Sequence, residues 1–102
     1  MSTDTRQEPG VVTKTKPEPP KKHKVILLND DYTPREFVVK VLKVVFRIGG
    51  QTAFTIMYTA HTKGACVVCV YPKDVAETKT LEANDLAKRA GHPLQFTTEP
   101  EE

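Results

Sequence analysis

The hydrophobic positions of the chain fall into segments with strand-like spacing and segments with helix-like spacing. Residues 24–28 (KVILL) form a short run with four branched aliphatic side chains, which is typical of a buried strand. Residues 65–71 have the same character and stop at Pro72, and Leu94 and Phe96 alternate as they would in a short last strand. The pattern therefore predicts three strands spread along the chain.

The first strand is followed by apolar residues at helical spacing. This helix is predicted to begin at a capping box over residues 33–36, with Pro34 at the first helical position, and to end at Gly49 and Gly50. Its predicted inward residues are Phe37, Val38, Val41, Leu42 and Val45.

Two further helices are predicted. Residues 52–63 form one that stops at Gly64, and residues 75–90 form another that Gly91 caps. Their predicted inward residues are Ala53, Ile56, Met57 and Ala60 in the former and Ala83, Leu86, Ala87 and Ala90 in the latter. His61 lies one turn beyond Met57, at the edge of the inward face.

The element order is β-α-α-β-α-β, which predicts an α+β fold with three helices packed on a small antiparallel sheet. Residues 21–102 form a single small domain in this prediction. Residues 1–20 contain four prolines and little apolar surface, so we expect a disordered, flexible N-terminal extension. The acidic end, residues 99–102, is expected to fray.

Composition restricts the functional classes. The chain has 102 residues, 38% of them hydrophobic, and a net charge of +2, which is too weak to indicate nucleic acid or an anionic membrane as a partner. No apolar run approaches the roughly 20 residues of a spanning helix, and no secretory signal begins the chain. A cytoplasmic protein is expected. Binding of nucleic acid through Lys40, Lys43 and Arg47 remains a distant alternative to a solvated helix face.

Cys66 and Cys69 have the C-x-x-C spacing of redox and metal sites. In a strand, however, residues three apart point to opposite faces and lie roughly 10 Å apart, which is too far for a disulfide. We therefore interpret them as small, half-buried core residues.

The connector between the first strand and the first helix, residues 29–34, is the candidate for chemistry. Asn29, Asp30 and Asp31 are acceptors on a segment fixed at both ends by ordered structure, as recognition of a small charged group requires. Turn formation explains the same residues equally well. Catalysis lacks a nucleophile, because the sole serine is at position 2, and one histidine beside carboxylates is a weak metal set. No catalytic residue, metal or cofactor is therefore expected.

A receptor for a primary amine fits these residues better. An ammonium group has three donors and a positive charge, and an Asn oxygen, an Asp carboxylate and a neutral His nitrogen are three acceptors. If the helix that carries His61 packs beside the connector, these acceptors lie next to an apolar hole. The residues predicted to line that hole are Leu28, Val38, Met57, Ala60 and Leu94.

Four motifs, HKVILLNDDYTPREFV, IMYTAH, VAETK and HPL, occur in this order over about residues 22–97 and closely resemble the ClpS adaptor family. The resemblance implies a non-catalytic adaptor of bacteria and plastids. Such proteins bind substrates whose first residue is Phe, Tyr, Trp or Leu (the N-end rule) and deliver them to the ClpA unfoldase of the ClpAP protease. It also implies a monomer whose partners are the ClpA N-terminal domain and N-degron substrates.

The resemblance also assigns roles to residues. Asn29, Asp31 and His61 are expected to hold the substrate α-amino group, with Asp30 shaping the connector. Positions around the pocket for the first side chain are Leu28, Thr33, Arg35, Val38, Met57, Ala60 and Leu94. Asp74 and Lys79 match the surface that docks on ClpA, and residues 1–20 match an extension implicated in handing over substrate.

Two pocket positions depart from the family pattern. The usual DDYTPMEF has a gating methionine where this chain has Arg35, and Ala60 stands where a larger valine is common. A surface arginine is one interpretation; the other is a guanidinium that stacks on an aromatic first residue and favours it over Leu. The main rival function is a ClpA-docking regulatory module, or a generic protein-interaction domain, without recognition of N-terminal residues.

Overall fold

The computed structural model describes residues 21–101, and its element order is the predicted β-α-α-β-α-β. The strands are β1 (Lys22–Leu28), β2 (Ala65–Pro72) and β3 (Gln95–Pro100), and the helices are α1 (Arg35–Val45), α2 (Gly50–Lys63) and α3 (Lys73–Arg89). The predicted α+β class is confirmed. The N-terminal extension predicted for residues 1–20 lies outside the described residues. None of the helices within residues 21–101 is long and apolar enough to cross a membrane.

The strands form one antiparallel sheet in the order β2-β1-β3, so β1 is the central strand. Val25 and Leu27 of β1 are fully buried, as expected for alternate residues that face the helices. Ile26 lies between them and is only half-buried, and Val67 and Val70 of β2 are exposed. The hydrophobic core therefore lies between one face of the sheet and the helices.

The start of α1 differs from the predicted capping box. The carbonyl of Pro34 accepts the first helical hydrogen bonds, from the N–H groups of Phe37 (3.0 Å) and Val38 (3.2 Å), so Pro34 is the N-cap residue and has no capping side chain. The Thr33 hydroxyl donates instead to Asp30 Oδ2, at 2.9 Å. The prediction was wrong because the helix begins one residue later than the capping box requires, and the N-cap residue is then Pro34, whose side chain has no oxygen to accept from the N–H groups of the first turn.

The end of α1 also differs from the prediction, because the helix stops at Val45 rather than at the glycine pair. Arg47 takes the left-handed conformation (φ 59°) that glycine usually supplies at a helix end. Lys79 of α3 donates to the carbonyl of Val45 at 3.0 Å, which satisfies one of the free carbonyls of the last turn. Gly49 is the N-cap of α2, and Gly50 is its first residue.

The other helices follow the predicted faces with small corrections. All four predicted inward residues of α2 are buried, and α2 ends at Gly64 in the left-handed conformation (φ 93°). Helix α3 starts two residues earlier than predicted, directly after Pro72. Ala90 was predicted to face inward but is exposed, since the helix ends at Arg89 and the chain turns away through Gly91 (φ 79°).

Strand β2 changes the explanation for the two cysteines. Both are free and half-buried, as predicted. The pairing of Val25 with Cys69 and of Leu27 with Cys66 shows a bulge that places both cysteines on the core face rather than on opposite faces. Burial raises the pKa of the Cys66 thiol. Burial, together with the hydrogen bond and the charge interaction between Tyr71 and Cys69, raises the pKa of Tyr71 to about 12.

Strand β3 extends further towards the C-terminus than predicted. Glu99 and Pro100 pair with β1, and the N–H of Glu101 donates to the carbonyl of Lys22 at 2.8 Å. The prediction that this acidic end frays was therefore wrong for residues 99–101, because the edge of the central strand supplies backbone partners. Lys24 and Glu99 approach within 3.9 Å across the two strands.

Candidate functional site

The connector, residues 29–34, leaves the sheet at the end of its central strand. The backbone N–H of Asn29 donates to the carbonyl of Gly64 at 3.0 Å, which ties the connector to the end of α2. The N–H of Gly64 in turn donates to the carbonyl of Ala60 at 2.8 Å. These backbone bonds hold His61, in the last turn of α2, beside the connector.

Asp30 organises the connector from within. Its Oδ1 accepts hydrogen bonds from the backbone N–H groups of Tyr32 (2.8 Å) and Thr33 (2.7 Å), while its Oδ2 accepts the Thr33 hydroxyl at 2.9 Å. A carboxylate with these partners holds the turn in one conformation. The contacts support the expectation that Asp30 shapes the connector.

Asn29 and Asp31 differ from Asp30, although they are its immediate neighbours. Both side chains are exposed. Within residues 21–101, neither the Asn29 amide nor the Asp31 carboxylate makes a side-chain hydrogen bond or an ion pair. The connector therefore offers acceptors to a ligand at these two positions and uses its third acceptor, Asp30, for its own structure.

A cavity of about 160 Å³ opens beside the connector. Every residue predicted to hold the amino group or to line the pocket borders this cavity, as does Asp30. Leu27 also borders it and was not predicted. Its signal in the sequence is the two-residue spacing from Val25, which places both on the core face of β1.

The cavity has two kinds of wall. We call Asn29, Asp31, Arg35 and His61 the polar rim, and all four are exposed. We call Val38, Met57, Ala60 and Leu94 the apolar floor, and all four belong to the buried hydrophobic core. A ligand that fits this cavity would combine a polar, cationic group at the rim with an apolar group at the floor.

Leu94 reaches the floor from a segment that α3 holds in place. The Asn84 side chain donates to the carbonyl of Phe96 at 3.0 Å and accepts from the N–H of the same residue at 2.7 Å. The ring of His92 packs against Phe37 of α1 with centroids 4.5 Å apart. These contacts fix the chain on both sides of Leu94. They join residues of different elements, so the hydrophobic periodicity of the sequence could not predict them.

Arg35 and His61 touch each other across the rim. Nη2 of Arg35 lies 3.0 Å from Nε2 of His61, although the residues are 26 positions apart. A guanidinium has donors and no acceptor, so a hydrogen bond at this contact requires an imidazole that accepts at Nε2 and carries its proton on Nδ1. Sequence reasoning missed this contact.

Asp74 and Lys79, the predicted docking residues, both lie on α3, away from the cavity lining. Asp74 is exposed in the first turn, where its Oδ1 accepts from the N–H of Val75 at 3.0 Å. Lys79 is half-buried, and its ammonium group contacts α1 at Val45, as described above. Each residue thus has a structural contact, and docking stays a prediction.

The side chains of the site show no catalytic or metal-binding arrangement within the described residues. Residues 21–101 contain no group of three or more His, Cys, Asp or Glu side chains placed to hold a metal ion. Cys66 lies on β2 rather than at the cavity, and its raised pKa keeps it a thiol at neutral pH.

Comparison with known proteins places the chain among protease adaptors. The family model "ATP-dependent Clp protease adaptor protein ClpS" matches residues 18–97. The chain is 58% identical over 99 residues to ClpS 1 of Bradyrhizobium diazoefficiens, covering 97% of this chain and 98% of that protein. It is 60% identical over 91 residues to ClpS 2 of Rhizobium meliloti, covering 89% and 90%.

A solved structure is similar as well. ClpS2 of Agrobacterium tumefaciens, bound to L-phenylalaninamide, has a TM-score of 0.80 and 61% sequence identity, and the match covers 81% of this chain and 100% of that one.

Proposed function

The chain belongs to the ClpS family of adaptors for the ATP-dependent Clp protease, and from this premise we propose that it binds proteins whose first residue is bulky and hydrophobic. The first residues we propose are Phe, Tyr, Trp and Leu, and the unfoldase that receives the substrate is ClpA. As a member of an adaptor family, the protein is not an enzyme.

The observation that carries the proposal is the difference between Asp30 and its two neighbours in the connector. Asp30 accepts three hydrogen bonds, while the side chains of Asn29 and Asp31 lie at the rim of the cavity and make no hydrogen bond or ion pair with other residues in the range 21–101. An α-ammonium group at the rim would donate to Asn29, Asp31 and His61. The Asp31 carboxylate would also provide charge compensation, which makes its hydrogen bond to the ammonium group stronger than one between neutral groups.

The apolar floor suits the side chain of the first residue. Its members are buried core residues, so a hydrophobic side chain that enters the cavity leaves water for an apolar environment. L-Phenylalaninamide, the ligand of the similar Agrobacterium ClpS2, carries a free amino group and a benzyl side chain on one carbon. A ligand with these two groups matches the rim and the floor of the present cavity, which supports the proposal.

Arg35 would add selectivity among the first residues. It stands at the rim, and its guanidinium could lie on the face of an aromatic ring below it. Such a contact adds roughly 0.5–2 kcal/mol, so Phe, Tyr and Trp would be preferred over Leu. Equal affinities for otherwise identical Phe-first and Leu-first peptides would contradict this role. Ala60, which replaces a larger residue of the family pattern, would deepen the floor.

Delivery would use a second surface, on α3. We propose that Asp74 and Lys79 contribute to docking on the ClpA N-terminal domain, with the adaptor acting as a monomer. In the rival function, a regulatory module docks on ClpA without reading N-terminal residues, and the cavity then has no part in binding.

The test compares one peptide in two chemical states. A fluorescent Phe-first peptide is titrated with the protein and followed by anisotropy, and the titration is repeated with the α-amino group acetylated. Acetylation removes the charge and leaves one donor, so affinity should fall at least about tenfold, as expected when a charge-assisted hydrogen bond is lost. A Gly-first peptide with a free amine is the control for the floor and should bind weakly. Undiminished binding of the acetylated peptide would exclude the amine receptor.

A further inference from the structure

The contact between Arg35 and His61 has a consequence for any amine that enters the cavity. Nη2 of Arg35 lies 3.0 Å from Nε2 of His61. A hydrogen bond between them uses the Nε2 lone pair and leaves the imidazole proton on Nδ1. The imidazole therefore has no acceptor left for an ammonium group while this contact lasts. Among the contacts of the described residues 21–101, the rim acceptors without a partner are then Asn29 and Asp31.

Resting on the proposed function, we infer that Arg35 is a specificity-determining residue that competes with the substrate amine for His61. In the free protein the Arg35 guanidinium occupies the position next to Nε2 of His61 that the substrate ammonium group would take. A substrate must displace it before its own ammonium group can donate to Nε2. Both side chains are exposed, so the guanidinium can leave without opening the core.

Because of this competition, the first residue of the substrate affects affinity in two ways: through its own contacts with the cavity and through the new contact it offers to the displaced guanidinium. An aromatic first residue provides a ring on which the displaced guanidinium can stack, and this contact offsets the lost hydrogen bond. A leucine provides no such ring, so the displacement is uncompensated. Selectivity then arises from the interaction that the substrate breaks as well as from the one that it forms.

The first test needs no peptide. The ¹⁵N resonances of the His61 imidazole report which nitrogen carries the proton, and they are recorded for the free wild-type protein, Arg35→Met and Lys40→Met. We expect a protonated Nδ1 and an accepting Nε2 in the wild type, and a changed tautomer balance in Arg35→Met. Lys40 lies exposed on the same helix and does not border the cavity, so Lys40→Met removes an equal charge and should keep the wild-type spectrum. A wild-type imidazole with its proton on Nε2 would overturn the inference.

The second test is a double-mutant cycle with a Leu-first peptide. Arg35→Met should raise the affinity by roughly two- to tenfold, the value of one hydrogen bond. In the His61→Ala background the same substitution should give a smaller gain, because only charge repulsion and the apolar contact of the new methionine remain. An equal gain in both backgrounds, or no gain in either, would overturn the inference.

The failures of this inference and of the proposed function are distinguishable. A wild-type protein that binds neither the Phe-first nor the Leu-first peptide contradicts the proposed function. A wild-type protein that binds the free amine and loses the acetylated peptide, but shows no dependence of the Arg35 effect on His61, contradicts the competition alone.

Discussion

The polar rim and the apolar floor enclose the same cavity, but they relate to the rest of the protein in opposite ways. The floor residues belong to the hydrophobic core, where Ala60 is 2% and Val38 7% exposed. The rim residues are exposed and contribute no apolar area to the core. Floor residues therefore serve folding and binding together, whereas rim residues are free to serve binding alone. Substitutions in the floor should therefore lower the stability of the protein, whereas substitutions in the rim should leave it nearly unchanged.

The floor should show the largest effect, and on both properties. Met57→Ala removes a buried side chain from the core, so the free energy of unfolding should fall by about 2 kcal/mol or more. Affinity for a Phe-first peptide should fall as well. Chemical denaturation and peptide titration measure the two. Gln51→Ala, at an exposed position of the same helix, is the control and should stay within about 0.5 kcal/mol of the wild type. An unchanged stability of Met57→Ala would contradict the dual role of the floor.

The next largest effect should separate the two neighbouring aspartates. Asp31→Ala should weaken peptide binding by about 1.5–3 kcal/mol, the range for hydrogen bonds to charged groups, and leave the unfolding free energy nearly unchanged. Asp30→Ala removes the acceptor of three hydrogen bonds and should lower the unfolding free energy by about 1–3 kcal/mol. Both variants remove a carboxylate from the same short segment, so a difference between them in stability and affinity reports the different contacts of the two side chains. If Asp31→Ala destabilised the protein as much as Asp30→Ala, the division within the connector would be wrong.

The smallest effect should come from pH and should act through the rim alone. Protonation converts the accepting nitrogen of His61 to a donor and adds a positive charge that repels an ammonium group. Affinity for a Phe-first peptide should therefore fall severalfold between about pH 7 and about pH 5, where the α-amino group of the peptide stays protonated throughout. Asp31 and Arg35, the charged groups of the rim, are present in both the wild type and His61→Ala. The same pH profile in His61→Ala would show that another group is responsible.

The elements of the fold were largely predictable, because hydrophobic periodicity is a local property. The inward residues of α2 and the alternation around Leu94 and Phe96 follow directly from spacing. Two of the errors occur where a residue distant in sequence supplies a hydrogen bond. Lys79 satisfies the end of α1, and β1 holds the acidic end of the chain.

The site was less predictable from physical pattern than from family resemblance. Periodicity indicated that an apolar hole and polar acceptors would meet if α2 packed beside the connector, but it supplied no reason for that packing. The reason is the bond between Asn29 and Gly64, which continues the pairing of β1 with β2 past the ends of both strands. The contact of Arg35 with His61 depends on the same packing, so no rule of local spacing could find it.

The bond between Asn29 and Gly64 also determines when the site comes into existence during folding. Its donor opens the connector and its acceptor closes α2, so the two parts of the rim approach each other only as the central strand pairs with its neighbour. We therefore expect assembly of the rim to be coupled to the pairing of β1 with β2. The slow exchange of a single amide hydrogen, that of Asn29, would report both.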